Sequence, residues 1–244
     1  MENFSPEVNN SENNEVELMF DSIAWRYDFL NHFLSFGIDR IWRKKAIKII
    51  GRTHKPSLIL DVATGTGDLA IASMKLNPTK VTGIDISKKM LETGRNKIYR
   101  KGLSEKIELI SGDSEKIGFD DNYFDVAMVA FGVRNFKNIL KGVAEMYRVI
   151  RPGGLIMVLE FSKPVTSPFR QVYNFYFLNI LPFFGQLFSK NRRAYRYLPD
   201  SVMNFPDNEV FVRYLNKAGF IDIRQKNLTF GVATIFTGIK TPVQ

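Results

Sequence analysis

The sequence has no cysteine and only two histidines, His32 and His54. The first absence excludes disulfides, thiolate nucleophiles and thiolate-held metals, and the second excludes a histidine-built metal centre. No metal site is therefore expected. A bilayer-spanning run is lacking too: the most apolar stretch, 172–188, is short and broken by Asn174, Asn179, Pro182 and Gly185. The opening MENFSPEVNNSENNEVE has almost no bulky apolar residue. Residues 1–15 are expected to be a disordered tail, because they offer too little apolar surface to offset the entropy of ordering. This tail also lacks the basic and apolar regions of a secretory signal, which points to the cytoplasm. Acids are the minority charge, 25 against 34 Lys and Arg, for a formal net charge of +9. Such an excess suits an anionic partner such as nucleic acid or an acidic membrane surface, or simply confers solubility.

What is present reads as one sizeable α/β core in 244 residues. Short apolar runs at 58–63, 80–84, 107–111, 124–130 and 155–161 have consecutive Val, Ile or Leu, as strands buried on both faces require. Helical stretches at 68–75, 87–101 and 138–149 lie between them. This alternation predicts right-handed crossovers and a doubly wound, mostly parallel sheet with ligands at the carboxyl ends of its strands. Ser87 is placed to cap the helix from Lys88, with Gly102 just past its end. A helix at 207–217 and two final runs, 221–224 and 232–239, read as a closing helix and an antiparallel hairpin.

The stretch LDVATGTGDLA, 60–70, places Gly65 and Gly67 after the first strand. A dinucleotide fingerprint has a third glycine or alanine, here Ala70, so this turn alone leaves that possibility open. A Walker A loop is excluded, because no Lys-Ser/Thr follows. Asp85 ends the second strand about 20 residues later, where a carboxylate suits a ribose diol. Asp113 and Ser114 lie just past the third strand, where an acid suits an adenine amino group and would oppose a pyrophosphate. Asp61 ends the first strand. Three carboxylates around one pocket favour a ligand of net positive charge. Asp68 reads as an acid in a first helical turn, complementing the dipole whatever binds nearby.

With these residues in view, the sequence resembles a class I S-adenosylmethionine-dependent methyltransferase, and within that fold the C-methyltransferases of ubiquinone and menaquinone biosynthesis. YDFLNHFLSFGIDRIW (27–42), FGVRN (131–135), RVIRPGGLIMVLEFS (148–162) and YRYLPDSVMNFP (195–206) bear the resemblance, which spans nearly everything after residue 16. Leu30, Asp39 and Arg151 depart from the usual Met, His and Lys. The resemblance implies a seven-stranded Rossmann-like sheet in a single domain, 16–240, with a helical cover at 16–55 and an aromatic helical insertion or lid at 163–200. Cofactor contacts carried over fall on Gly65, Thr66, Asp85, Asp113 and Ser114, with a backbone contact at Ala130. The implied reaction is methylation of a prenylated quinol, demethylmenaquinol to menaquinol, or the equivalent polyprenyl-methoxy-benzoquinol step.

The reduced acceptor is required, because two hydroxyls make a ring carbon nucleophilic whereas a quinone is an electrophile. Arg134 is a candidate for stabilising a phenolate oxygen, against a structural ion pair. Asp39 and Asp28 are candidate carboxylate bases, against caps or surface acids, and His32 is read as packed. The insertion carries Tyr173, Phe175, Tyr176, Phe177, Phe183, Phe184 and Phe188, followed by Lys190, Arg192, Arg193 and Arg196. That pattern suits an interfacial segment or greasy lid with cations toward anionic head groups at the inner face of the cytoplasmic membrane, against a homodimer or core helix pair. RIWRKKAIKIIGRTHK, 40–55, is a second basic face. A rival reading, an RNA-binding module, lacks any RNP or KH signature, so nucleic acid is not an expected partner.

Overall fold

The structure is a computed structural model, and it describes residue 21, residues 37–164, residue 171 and residues 200–242. The expected tail, most of the helical cover before residue 37 and nearly all of the insertion lie outside the described residues.

The apolar runs form β1 (Leu58–Val62), β2 (Lys80–Asp85), β3 (Ile107–Ser111) and β4 (Phe124–Ala130), joined by β5 (Ile150–Phe161), β6 (Phe220–Leu228) and β7 (Ala233–Lys240). They make one seven-stranded sheet in the order β3-β2-β1-β4-β5-β7-β6. The first five strands are mutually parallel, and β7 runs antiparallel between β5 and β6. Side chains of successive residues enter opposite cores. Ile59, Val126 and Met128 pack on one face, while Leu60, Val62, Ala127 and Val129 pack on the other. Each Val, Ile, Leu or Met side chain among them contributes about 1.5–3 kcal/mol on full burial, so continuous apolar runs are what a doubly covered sheet selects.

Helices α1 (Ile38–Thr53), α2 (Asp68–Ser73) and α3 (Lys88–Arg100) cover the first face, and α4 (Ile139–Val149) and α5 (Asn208–Ala218) cover the second. Helix α1 buries Trp42, Ala46, Ile47 and Ile50, a one-sided stripe. Trp42 Nε1 donates to Thr229 Oγ1 at 2.9 Å, which ties α1 to the β6–β7 connection. Ser87 caps α3 as expected, its Oγ accepting from Met90 N at 3.2 Å, and Gly102 follows with φ +66°.

Three boundaries differ from the sequence reading by more than one residue. β5 begins at Ile150, because RPGG is absorbed as an irregularity in its pairing with β4. Gly154 permits this: a Cβ there would lie 2.6 Å from the Asp125 carbonyl oxygen. Helix α2 stops at Ser73 and tightens into a 3₁₀ turn that Asn77 ends in the left-handed region. β6 runs to Leu228, its exposed edge filled by polar residues that hide it from a search for apolar runs.

Candidate active site

The carboxyl ends of β1, β2, β3 and β4 open onto one cleft. Its backbone is bent sharply. Ala63 (φ 51°) and Phe131 (φ 59°), immediately after β1 and β4, occupy the left-handed region without being glycine, beside Gly65 and Gly67. Such conformations cost about 1–3 kcal/mol each and gather at ligand sites.

Along the cleft floor the acids follow strand order: Asp113 after β3, Asp85 at the end of β2, Asp61 in β1. Each step is one strand spacing, about 4.8 Å. Asp85 is fixed by two backbone donors, Gly65 N to Oδ2 at 2.8 Å and Ser87 N to Oδ1 at 2.9 Å. Burial nevertheless pushes its carboxyl above the ordinary range. Each oxygen keeps lone-pair capacity for a further donor, which is what a ribose diol supplies. Asp61 is 1% exposed, and its Oδ2 accepts from Thr64 Oγ1 at 2.6 Å and Ala70 N at 3.0 Å. Burial dominates those bonds and the nearby Arg43, and raises its pKa to about 7. Asp113 Oδ1 accepts from Glu115 N at 2.8 Å, and Ser114 lies beside it on the wall.

Gly65, Thr66, Asp85, Asp113 and Ser114 thus come together on one cleft, with Ala130 on the same wall. The Thr66 hydroxyl is engaged by Lys97 Nζ at 2.9 Å, and Lys97 also bonds Asp68 at 2.7 Å. The row of acids fits a ligand with an adenosine part toward β3 and β2 and a cationic part toward β1. S-Adenosylmethionine has that layout.

Two residues proposed from sequence for catalysis are not among those lining the cleft. Asp39 is buried in α1 and ion-paired to Arg43, and it is not on the cleft wall. Arg134 is 5% exposed and pairs with the fully buried Glu160 at 2.8 Å. It also donates to the Phe131 carbonyl and to Ser201 Oγ. His54 is outside the cleft, its Nε2 3.2 Å from the Gly153 carbonyl oxygen. Asp28 and His32 lie outside the described residues.

Sequence reasoning missed Arg43, Phe131 and Gly94. Arg43 lines the cleft with its guanidinium 5.4 Å from the Phe131 ring centroid. Gly94 sits in α3, where a Cβ would lie 3.0 Å from the Thr66 carbonyl carbon and oxygen and 2.6 Å from Leu109 Cδ1. A glycine inside a helical pattern was the available signal, because it marks a close approach.

The parallel sheet, its reversed seventh strand and the acid-tipped strands define the class I methyltransferase architecture. Solved structures agree on the fold. The [4+2]-cyclase SpnF superposes with a TM-score of 0.68 at 16% identity, covering 95% of this chain and 97% of that one. A SAM-dependent methyltransferase from Aquifex aeolicus gives 0.59 at 19%, covering 81% and 88%. Residues 8–240 match the ubiE/COQ5 methyltransferase family, and the chain belongs to that family. A demethylmenaquinone methyltransferase from Bacteroides fragilis is 44% identical over 98% of both chains. A ubiquinone/menaquinone biosynthesis C-methyltransferase UbiE from Geobacter sp. strain M21 is 46% identical over 92% of this chain and 96% of that one.

Proposed function

We propose that this protein is an S-adenosylmethionine-dependent C-methyltransferase that converts demethylmenaquinol to menaquinol. The observation that carries the reading is the row Asp113, Asp85 and Asp61 on adjacent strand ends of one cleft, in a family member of matching length. Bound there, the cofactor would supply a methyl group made electrophilic by its cationic sulfur and leave as S-adenosylhomocysteine, while the ring carbon that gains the methyl loses its proton to solvent as the aromatic ring is restored. The chain's residues position and shield. Asp85 takes the ribose hydroxyls, Asp113 and Ser114 flank the adenine, and Asp61 faces the cationic end. Phe131, Gly132 and Phe136, on the cleft lining, are the apolar groups offered to the quinol ring. Most of the rate then comes from alignment in a site shielded from water. Arg134 and Asp39 act at one remove, Arg134 by holding the Phe131 carbonyl and Asp39 by holding Arg43.

The polyprenyl-methoxy-benzoquinol is the second acceptor worth testing, since relatives named for both pathways reach 46% identity. Association with the inner face of the cytoplasmic membrane belongs to the same proposal. Its support is the outer face of α1 and the residues after it, where Arg40, Lys44, Lys45, Lys48, Arg52 and Lys55 are all exposed. Among the described residues no helix is long and apolar enough to cross a bilayer.

The test is a methyl-transfer assay with labelled cofactor, chemically reduced short-chain demethylmenaquinone, the benzoquinol and the unreduced quinone. Label in the reduced naphthoquinol alone is the expected result. Label in the benzoquinol alone would move the acceptor to the ubiquinone branch, and label in neither would refute quinol methylation.

A further inference from the structure

The cleft has one feature that acid-row reasoning leaves unused. Arg43 projects from α1 onto the cleft wall at the end bounded by Asp61, Asp68 and Phe131. Its side chain is 11% exposed, and its ion pairs with Asp39 and, at 3.9 Å, with Asp68 both run through Nη1. The guanidinium lies against the Phe131 ring. Its Nε is buried and has no hydrogen-bond partner among the described residues. Guanidinium groups carry five N–H donors in a planar fork, and a buried donor left unpaired is costly unless something completes it.

Of the groups whose charge bears on Asp61, Arg43 is the cation and Asp85 the anion. A buried carboxylate and a largely buried guanidinium therefore stand together at the β1 and β4 end of the cleft, away from the Asp113 end. An α-amino acid in its zwitterionic form has the matching pair of charges. In the proposed cofactor that pair is at the far end from the adenine, one or two strand spacings past the ribose, where Asp61 and Arg43 lie.

Building on the methyltransferase reading, we infer that Arg43, held in place by Asp39, binds the α-carboxylate of the cofactor's methionine portion, while Asp61 faces its ammonium group. Asp39 is in this account a positioning residue: its carboxylate occupies Nη1 and presents the remaining edge of the fork to the ligand. Carboxylates are bound by guanidinium through parallel N–H donors, so the edge matters as much as the charge. Lys137 is the other cation on the wall, and the experiment must separate the two.

The test deletes groups from the ligand as well as from the protein. Dissociation constants are measured by calorimetry for S-adenosylhomocysteine, for its decarboxylated analogue and for 5′-methylthioadenosine, which lacks the whole amino-acid end. Arg43→Met should weaken S-adenosylhomocysteine roughly 10- to 100-fold, the span of a hydrogen bond to a charged group. It should leave the decarboxylated analogue and methylthioadenosine within about twofold of wild type. Because Arg43→Met leaves Asp39 without its cation, the double variant Asp39→Asn/Arg43→Gln is measured alongside and should show the same ligand dependence. Equal losses for all three ligands would overturn the proposal. So would unchanged cofactor affinity with a raised KM for the quinol, which would assign Arg43 to the acceptor. Carboxylate-dependent loss in Lys137→Met but not in Arg43→Met would overturn it as well. If wild type bound none of the three, the cofactor reading itself would fall, a result distinct from failure of the Arg43 assignment.

Discussion

Replacing Arg134 by Met should destabilise the fold rather than act directly on the chemistry. Arg134 Nη1 lies 2.8 Å from Glu160 Oε1, with the two side chains 5% and 0% exposed. Glu160 also accepts from Arg134 N at 3.2 Å and Phe161 N at 2.9 Å. Removing the guanidinium strands a carboxylate in a site with no access to water, and breaking a buried pair in this way costs about 3–5 kcal/mol. For a chain of 244 residues the unfolding entropy is about 0.5 kcal/mol/K, so the melting temperature should drop by about 6–10 °C. Neutralising both partners, Arg134→Met with Glu160→Gln, removes the stranded charge. The double variant should therefore be more stable than the sum of the single losses by on the order of 2 kcal/mol. Thermal unfolding followed by circular dichroism measures all three variants. Turnover should decline with them, since Phe131 loses the donor on its carbonyl. A variant that melts like wild type yet loses turnover would refute the argument and place the guanidinium on the reacting atoms.

Asp85→Ala should weaken S-adenosylhomocysteine about 10- to 100-fold by calorimetry, the worth of hydrogen bonds to a charged group, and unchanged affinity would sink its ribose role. Gly94→Ala forces a methyl group against the Thr66 backbone and Leu109 and should cost about 1–3 kcal/mol, shared between folding and cofactor binding; wild-type melting together with wild-type affinity would contradict the close approach. Asp61 makes a pH prediction. Its carboxyl is raised from 3.8 to about 7 in the fold, so between those values the folded chain keeps a proton that the unfolded chain has lost. Its contribution to ligand-free stability is therefore present at low pH, is lost as pH rises through that window, and is level above it. Urea unfolding from pH 4.5 to 8 should show this slope in the difference between wild type and Asp61→Asn, and a difference independent of pH would reject the shift. Cofactor binding should favour the ionised carboxylate and so release protons near pH 6.5, seen as a dependence of binding heat on the buffer's ionisation enthalpy.

Much of the sheet was legible because a strand covered on both faces has no alternation to mislead, as in LILDV and FDVAMVA. The acids were legible because each lies in or just past such a run at the carboxyl edge, where α/β sheets bind ligands. Edges were harder. The polar outward face of β6 and the RPGG start of β5 read locally as loop, and tertiary pairing overrides that reading. Arg43 was hidden by its neighbours: within RIWRKK a buried cation looks like one more solvated charge. Its signals were Asp39 four residues earlier and the adjoining Trp42, which turns that side of the helix inward.

Arg134 left two roles open, and Glu160 was the clue that could decide between them. An acid inside the apolar run MVLEF is almost never fully buried without a partner. Its partner lies 26 residues away, a separation that spacing alone cannot connect. The two pairs meet at one residue. Arg43, held by Asp39, lies against the Phe131 ring, and Arg134, held by Glu160, binds the Phe131 carbonyl. Phe131 is the bulky residue kept at φ 59° on the cleft wall, a conformation that persists only when its surroundings over-determine it. Arg134 and Asp39, read from the sequence as a phenolate stabiliser and a candidate base, each belong to one of the two ion pairs that brace this strained wall.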